Sequence, residues 1–467
     1  MNIFRLKILL VLSLPLLSIS FLQGTNYYVA TSYGSDSNNG TSINTPFKTI
    51  GKAASVMSSG DKCYIRQGRY HETITIDDLD GSSGSAIVFT NYNNERVVLD
   101  GTTPITSTWT QVGSSNIWRT KLSADIWQLF LNWEEQVMAR WPNAKFSDDT
   151  IWDNDNYWAK GTIDDDENAY TNGTIIDDPY TNSAGTAIDL SATGFDLDET
   201  NKQAIAILNL GSFKTWSRLV TSHSGNTFNY ATVPTWKTKH HYYYLEGRKE
   251  FLDQEGEWWY DTYNNADSLY YYAANGVNPN RLDFRGKVQS YAFSITGSQY
   301  VQIKNLEFFA TTVYFSNGDN CLVYGCNFMY PSCSKRMLRT VDTEPEMTKF
   351  ASGSSGSSIR NCAFRNTDGI ALEMWGGADT VDNCYFNKID YSVADNSSIM
   401  LTIRMNGTSN VFRKNTVHRT GASATVMIGD AGLVEYNNLY DTGHLQSDGS
   451  MIQFMEGQQD GAICRYN

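Results

Sequence analysis

The sequence predicts an all-β chain: a right-handed parallel β-helix, or solenoid, carrying an inserted tryptophan-rich β subdomain. Three observations predict it. From about residue 301 onward an unequal repeat recurs, made of a short strand, an Asn corner and a second short strand. It reads Ile303-Lys304-Asn305-Leu306-Glu307-Phe308, then Val323-Tyr324-Gly325-Cys326-Asn327-Phe328, Ile359-Arg360-Asn361-Cys362-Ala363-Phe364 and Val381-Asp382-Asn383-Cys384-Tyr385-Phe386. Looser copies are centred on Asn415, Asn437 and Asn467. The anchors lie about 20 to 36 residues apart, the period of a solenoid coil. Strands this short cannot bury a face alone and must stack on copies of themselves. Asn suits the corner because it tolerates left-handed backbone angles. Second, Cys326, Cys362 and Cys384 share one repeat position, where free thiols would stack inside as small hydrophobes. Third, eleven of the 12 tryptophans lie between Trp109 and Trp259, where the repeat fades. They are too many for a solenoid wall, so most should bury where a subdomain meets the helix.

Taken in order, residues 1–24 read as a secretory signal peptide. Arg5 and Lys7 precede an apolar run from Ile8 to Leu17, too short to span a membrane. Residues 25–108 form an N-terminal cap and the first coils, with strands at Tyr27 to Ala30 and Lys62 to Ile65 and a short helix over Lys52 to Met57. Residues 109–265 are the inserted subdomain, in which strand-like runs alternate with Asp-rich loops, including Asp164 to Asp166. Residues 266–467 are the main coils, interrupted between Tyr330 and Ser358 by a loop carrying Lys335, Arg336 and Arg339. The chain stops on a strand and corner with no polar cap, which reads as a truncated C-terminal end.

The opening stretch, with Gly34-Ser35-Asp36-Ser37-Asn38-Asn39-Gly40 and Pro46-Phe47-Lys48-Thr49-Ile50, resembles the N-terminal cap and first coil of secreted β-helix proteins in the pectate-lyase-like superfamily. The resemblance continues through the coils. It implies a carbohydrate-active β-helix protein, since the superfamily holds polysaccharide lyases, including alginate and chondroitin lyases, and many glycoside hydrolases. Two segments of the subdomain, Ala139-Arg140-Trp141-Pro142-Asn143 and Leu252-Asp253-Gln254-Glu255-Gly256-Glu257-Trp258-Trp259-Tyr260, resemble stretches recurring in uncharacterised secreted β-helix proteins. Asp36 and Asn38 are candidate calcium ligands, against a plain Gly/Asn turn, which is the preferred reading. Calcium is the one cofactor considered, and no His/Cys spacing resembles a zinc site.

The candidate site comes from two coils that agree over ten positions, Asp368 to Gly377 and Asp448 to Gly457. Strand alternation turns Ile370, Leu372 and Met374 inward and Glu373 and Trp375 outward. The outer face then carries Glu373, Thr402 and Gln453 in one file, with Trp375 and Arg404 in the next. A glycoside hydrolase needs two carboxyls about 5 Å apart for retention, or about 6.5 to 9.5 Å for inversion. Coils rising about 4.8 Å meet either spacing. Glu373 is the preferred acid/base, kept protonated by burial against Trp375, with Asp368, Asp395 and Asp448 as partner carboxyls. Trp375 would stack on a sugar, and His444, Arg404, Gln453 and Arg336 would hold its hydroxyl or acidic groups. A solvated ridge is the competing reading for Glu373, and an Asp-Gly turn for Asp368 and Asp448.

Composition narrows the partner. The formal charge of −14 and pI near 4.9 argue against DNA or RNA, whose phosphates need clustered Lys and Arg. No stretch after the leader is apolar enough to span a membrane. The expected partner is a polysaccharide outside the cytoplasm, in the medium or the periplasm, with the oligomeric state left open. The leading function is a secreted glycoside hydrolase. The alternatives are a polysaccharide lyase, using Arg404, His418, His444, Lys335 and Arg336 on a uronate polymer, and a non-catalytic surface β-helix.

Overall fold

The computed structural model describes residues 24–161, 172–211, 214–234, 242–263, 267–396, 400–455 and 459–467, and the counts below refer to them. The leader expected at 1–24, the acidic run Asp164 to Asp166 and Trp236 fall outside them, but for Gly24. Three parallel sheets stack along one axis as a right-handed β-helix. Sheet 1 has ten strands, from Asn26–Val29 and Lys62–Ile65 to Leu433–Glu435 and Ile463–Arg465. Sheets 2 and 3 have eight each. A typical coil runs Val301–Lys304 in sheet 1, Glu307–Phe309 in sheet 2 and Thr312–Ser316 in sheet 3. Among the described residues, no helix is long and apolar enough to cross a membrane.

Each coil alternates apolar residues inward, and like side chains land on like. Phe308, Phe328, Phe364 and Phe386 stack with ring centroids 4.5, 4.6 and 5.0 Å apart. Each buried Phe contributes about 1.5–3 kcal/mol, so this column alone fixes the register of sheet 2. The short helix caps the first coil at Ile50–Ala54, two residues earlier than the expected start. Thr49 Oγ1 accepts from the Lys52 amide at 3.1 Å and sets that start. Asp36 and Asn38 serve the loop backbone: Asp36 accepts the Lys48 and Thr49 amides at 2.8 and 3.0 Å, and Asn38 donates to the Pro46 carbonyl at 2.7 Å.

Asn305, Asn361 and Asn383 sit in left-handed conformation (φ 53°, 54° and 54°) at one corner, between sheets 1 and 2. Asn383 Nδ2 donates to Asn361 Oδ1 at 2.7 Å. Cys326, Cys362 and Cys384 are free, buried and in line behind them. The later copies differ by one residue. Lys414, Tyr436 and Tyr466 take the left-handed corner (φ 55°, 56° and 57°), and Asn415, Asn437 and Asn467 follow at the cysteine position. Asn415 Oδ1 accepts the Cys384 amide at 2.8 Å, Asn437 Oδ1 the Asn415 amide at 2.9 Å and Asn467 Oδ1 the Asn437 amide at 3.0 Å. The thiol column therefore hands over to an inward amide ladder, because a side-chain carbonyl at this position can serve the backbone of the coil before it.

The chain leaves the helix after Val97–Asp100 in sheet 2 and rejoins it at Tyr291–Thr296 in sheet 3. Between them lie mainly antiparallel sheets. Pairing begins and ends further out than the 109–265 limits read from the sequence, because Thr102–Pro104 pairs with Phe284–Lys287 and closes the base of the insertion. Most tryptophans fill the subdomain's own core rather than its junction with the helix: Trp109, Trp216, Trp258 and Trp259 pack there. Trp152 and Trp158 do reach the junction, against Tyr391, Val393, Met400, Ala422 and Leu445. The later segments 330–347 and 390–396 depart from the same edge, between sheets 2 and 3, so they gather beneath the insertion.

Candidate functional site

On the outer face of sheet 3 Glu373 and Gln453 share one file as expected, but the coil of Thr402 and Arg404 between them sits two residues away from the expected register. Leu372 pairs with Ile403 and Met374 with Met405, so Glu373 stands opposite Arg404 rather than Thr402. The outward file is Lys349, Glu373, Arg404, Met427 and Gln453. Burying Ile403 beside Leu372 fixes this, and it brings a guanidinium onto the carboxylate. Glu373 is 0% exposed. It is ion-paired to Lys349 at 2.7 Å and to Arg404, and Trp375 Nε1 donates to it at 3.0 Å. All three partners donate, so the proton-giving role expected for Glu373 would break one of these contacts. Trp375 is 40% exposed but its N–H is committed. Gln453 accepts from Ser450 Oγ at 2.9 Å.

The other expected residues do not converge on that face. Arg336, expected on a projecting loop, is 0% exposed. It lies beneath the insertion, paired to Glu246 at 3.1 Å and Asp368 at 3.2 Å. Asp368 is also fully buried, with Ser334 Oγ donating at 2.9 Å and Ser392 Oγ close by. Asp395 docks the insertion, accepting the Ser217 amide at 2.8 Å and its hydroxyl, and burial raises its carboxyl. Asp448 is exposed on a left-handed turn, φ 65°. His444 contacts Asp441 at 2.8 Å.

What the insertion and the helix enclose together is a cleft of about 550 Å³, within the range of small-molecule sites. The helix lines it with Tyr330, Asn366, Lys388 and Tyr391, and the insertion with Glu134, Glu135, Gln136, Lys145, Phe146, Trp152 and the 254–257 segment. Tyr330, Asn366 and Lys388 are successive left-handed corners (φ 57°, 57° and 56°), the first two directly after the sheet 2 strands Asn327–Met329 and Ala363–Arg365 and the third within Tyr385–Ile389. Side chains from such corners leave the solenoid wall, which is why one per coil reaches the cleft.

Two carboxyls here are displaced from the ordinary range. Burial pushes Glu135 up to about 8. Asp368 reinforces that shift, while a 2.8 Å bond from Gln128 and the charges of Lys287 and Arg336 oppose it. Burial likewise pushes Glu257 up to about 8, helped by Asp253 and opposed by backbone amides. Glu257 takes the amides of Asp253 and Gln254 at 3.1 Å each, which fixes the turn that presents the exposed Glu255. Behind the floor, burial, with the Asp368 charge, raises Asp390 to about 7. Strongly displaced carboxyls in a concave site mark a functional candidate. Among the described residues, no group of three or more His, Cys, Asp or Glu side chains could hold a metal ion.

Reasoning from the sequence found Asp368, which lies behind this floor, but missed Glu135, Glu257, Lys388 and Tyr391. A signal existed: Tyr330, Asn366 and Lys388 each fall two residues after a core phenylalanine of the repeat, and Glu257 lies in one of the two recurring subdomain segments.

The coils and the cleft define a right-handed parallel β-helix protein with a β insertion facing sheet 2. The chain matches no protein-family model. Over 76 residues it is 40% identical to the uncharacterized protein YwoF of Bacillus subtilis (strain 168), a match covering 16% of each chain. A glycoside hydrolase of solved structure aligns with 90% of this chain and 85% of its own, at 13% identity and a TM-score of 0.63. XylC, solved with xylose, aligns with 90% of this chain and 62% of its own, at 13% identity and a TM-score of 0.51. At these identities the likeness is one of fold.

Proposed function

We propose that the protein is a carbohydrate-active enzyme that hydrolyses glycosidic bonds in the cleft between insertion and helix. The observation that carries this is Glu135: a carboxyl facing a cleft and pushed up to about 8, hence protonated near neutral pH. Such a group serves as a general acid. Glu135 gives its proton to the leaving-group oxygen as the C–O bond breaks. Glu255, held out by the turn that Glu257 fixes, is the second carboxyl, and water supplies the hydroxyl that ends on the anomeric carbon. Tyr330, Tyr391, Trp152, Gln136 and Asn366 offer the aromatic faces and amides that sugars engage. The fold shared with a glycoside hydrolase and with XylC supports the reading.

The charge balance favours hydrolysis over β-elimination. Four glutamates line the cleft against two lysines, and Lys388 is paired to Asp149. A uronate would meet few free cations there. The leader read at 1–24 extends the proposal to action outside the cytoplasm.

The test is a screen of the full chain against aryl glycosides and plant and algal polysaccharides. New reducing ends without absorbance near 235 nm are expected, and Glu135→Gln should abolish them. Absorbance near 235 nm would instead establish a lyase, and neither signal would leave a binding protein.

A further inference from the structure

The cleft is bounded along the helix axis as well as across it. Its three corner residues, Tyr330, Asn366 and Lys388, come from consecutive coils, so first to last span about 10 Å at a rise of about 4.8 Å per coil. That is the reach of about two linked pyranose rings. Toward the first coils the next corner is Ala310, and an aromatic block stands there. Phe309 packs on Phe130 at 4.9 Å and on Trp133 at 5.1 Å, and Phe130 packs on Tyr330 at 5.0 Å. Arg69 and Arg285 lie over the Trp133 ring at 3.4 and 4.6 Å, closing that side.

Toward the last coils the next corner is Arg419, and the insertion crosses over it. Asp149 bridges two adjacent corners, accepting Lys388 at 2.7 Å and Arg419 at 2.6 Å. Arg419 continues to Asp441 at 3.2 Å, and Asp441 to His444 at 2.8 Å. Trp152 stands edge-on to His444 at 6.3 Å, and Asn154 Nδ2 donates to the Leu445 carbonyl at 3.2 Å. Asp149 is itself left-handed, φ 62°, in a turn held by Asp148, which accepts the Thr150 amide and hydroxyl at 3.1 and 2.7 Å.

We infer that this site takes the end of a saccharide chain rather than its middle, and that Asp149 is the specificity-determining residue of the closed end. A polymer threaded along the axis would have to displace either the aromatic block or the Asp149 bridge. The Phe130, Phe309 and Trp133 side is packed apolar core, whereas on the other side the bridge between the two adjacent corners Lys388 and Arg419 is the single carboxylate of Asp149, so that bridge is the part of the wall a single substitution can open. The inference rests on the hydrolase reading.

The experiment uses the full chain. A panel of p-nitrophenyl glycosides identifies the accepted sugar. Linear oligosaccharides of that sugar, with the terminal unit either free or blocked as a benzylidene acetal, then report the mode of attack. Free chains should shorten stepwise from one end, blocked chains should persist, and the matching polymer should keep its viscosity while reducing sugar appears. Asp149→Ala should raise cleavage of the blocked chain relative to the free one by at least about tenfold. Early loss of viscosity, or wild-type cleavage of the blocked chain, would overturn the inference and leave the hydrolase reading standing. An Asp149→Ala variant as strict as wild type would remove Asp149 from the wall. No turnover of any aryl glycoside or polysaccharide would instead sink the hydrolase reading, and this inference with it.

Discussion

Glu373 and Arg404 stand directly opposite each other on adjacent coils of sheet 3 and form an ion pair in which neither side chain is more than 2% exposed. Removing one member of a buried pair strands the other charge and costs about 3–5 kcal/mol. Glu373→Gln should therefore lower the unfolding midpoint in urea. It should leave turnover of folded enzyme within about threefold of wild type, well short of the loss expected for a general acid. A large turnover loss at unchanged stability would return Glu373 to the chemistry.

Glu135 carries the opposite expectation. Glu135→Gln should cut turnover by at least about 100-fold with an unchanged unfolding midpoint, since its partner Gln128 can still bond an amide. In the wild type, the acid must hold its proton, so kcat/KM should fall as pH rises through about 8. A profile flat to pH 9 would exclude Glu135 as the donor.

Stability should fall with rising pH. The Glu257 and Asp390 carboxyls bind protons more tightly in the folded chain, at about 8 and about 7, than in the unfolded chain at about 4. Their contribution is complete below about pH 4 and is lost as pH rises through 7 and 8. Thermal unfolding followed from pH 5 to 9 should show Tm dropping by several degrees. Glu257→Gln should flatten that drop.

Asn415→Ala should cost about 2 kcal/mol. It removes the acceptor of the Cys384 amide and the donor to the Val381 carbonyl, both inside the solenoid. Urea unfolding measures it, and Asn415→Asp should fail to rescue, since a carboxylate accepts but cannot donate to Val381.

The solenoid was legible because its cause is local. Asn305, Asn361 and Asn383 announce corners, and Phe328, Phe364 and Phe386 repeat one inward position. The site was not, because its pieces are distant in sequence. Glu135 and Tyr391 meet only when the insertion folds back over coils some 250 residues later, and no periodicity encodes that. Arg336 shows the same limit, since a basic loop reads as solvated until Glu246 and Asp368 are seen on either side. The register of Glu373 failed for a smaller reason: alternation fixes which face a side chain takes but not which coil-mate it meets.

The corner file also bears on how such a cleft can diverge. At the end of sheet 2 each of these coils commits one residue to a left-handed bend, and that residue reaches the cleft, beside Tyr391, while its neighbours hold the wall. Tyr330, Asn366 and Lys388 are chemically unrelated yet share a φ within one degree. Backbone geometry is therefore indifferent to what is displayed. Recombination that adds or drops a whole coil would shift the display by one side chain without redesigning the wall, so a lineage built this way can sample new ligands in discrete steps.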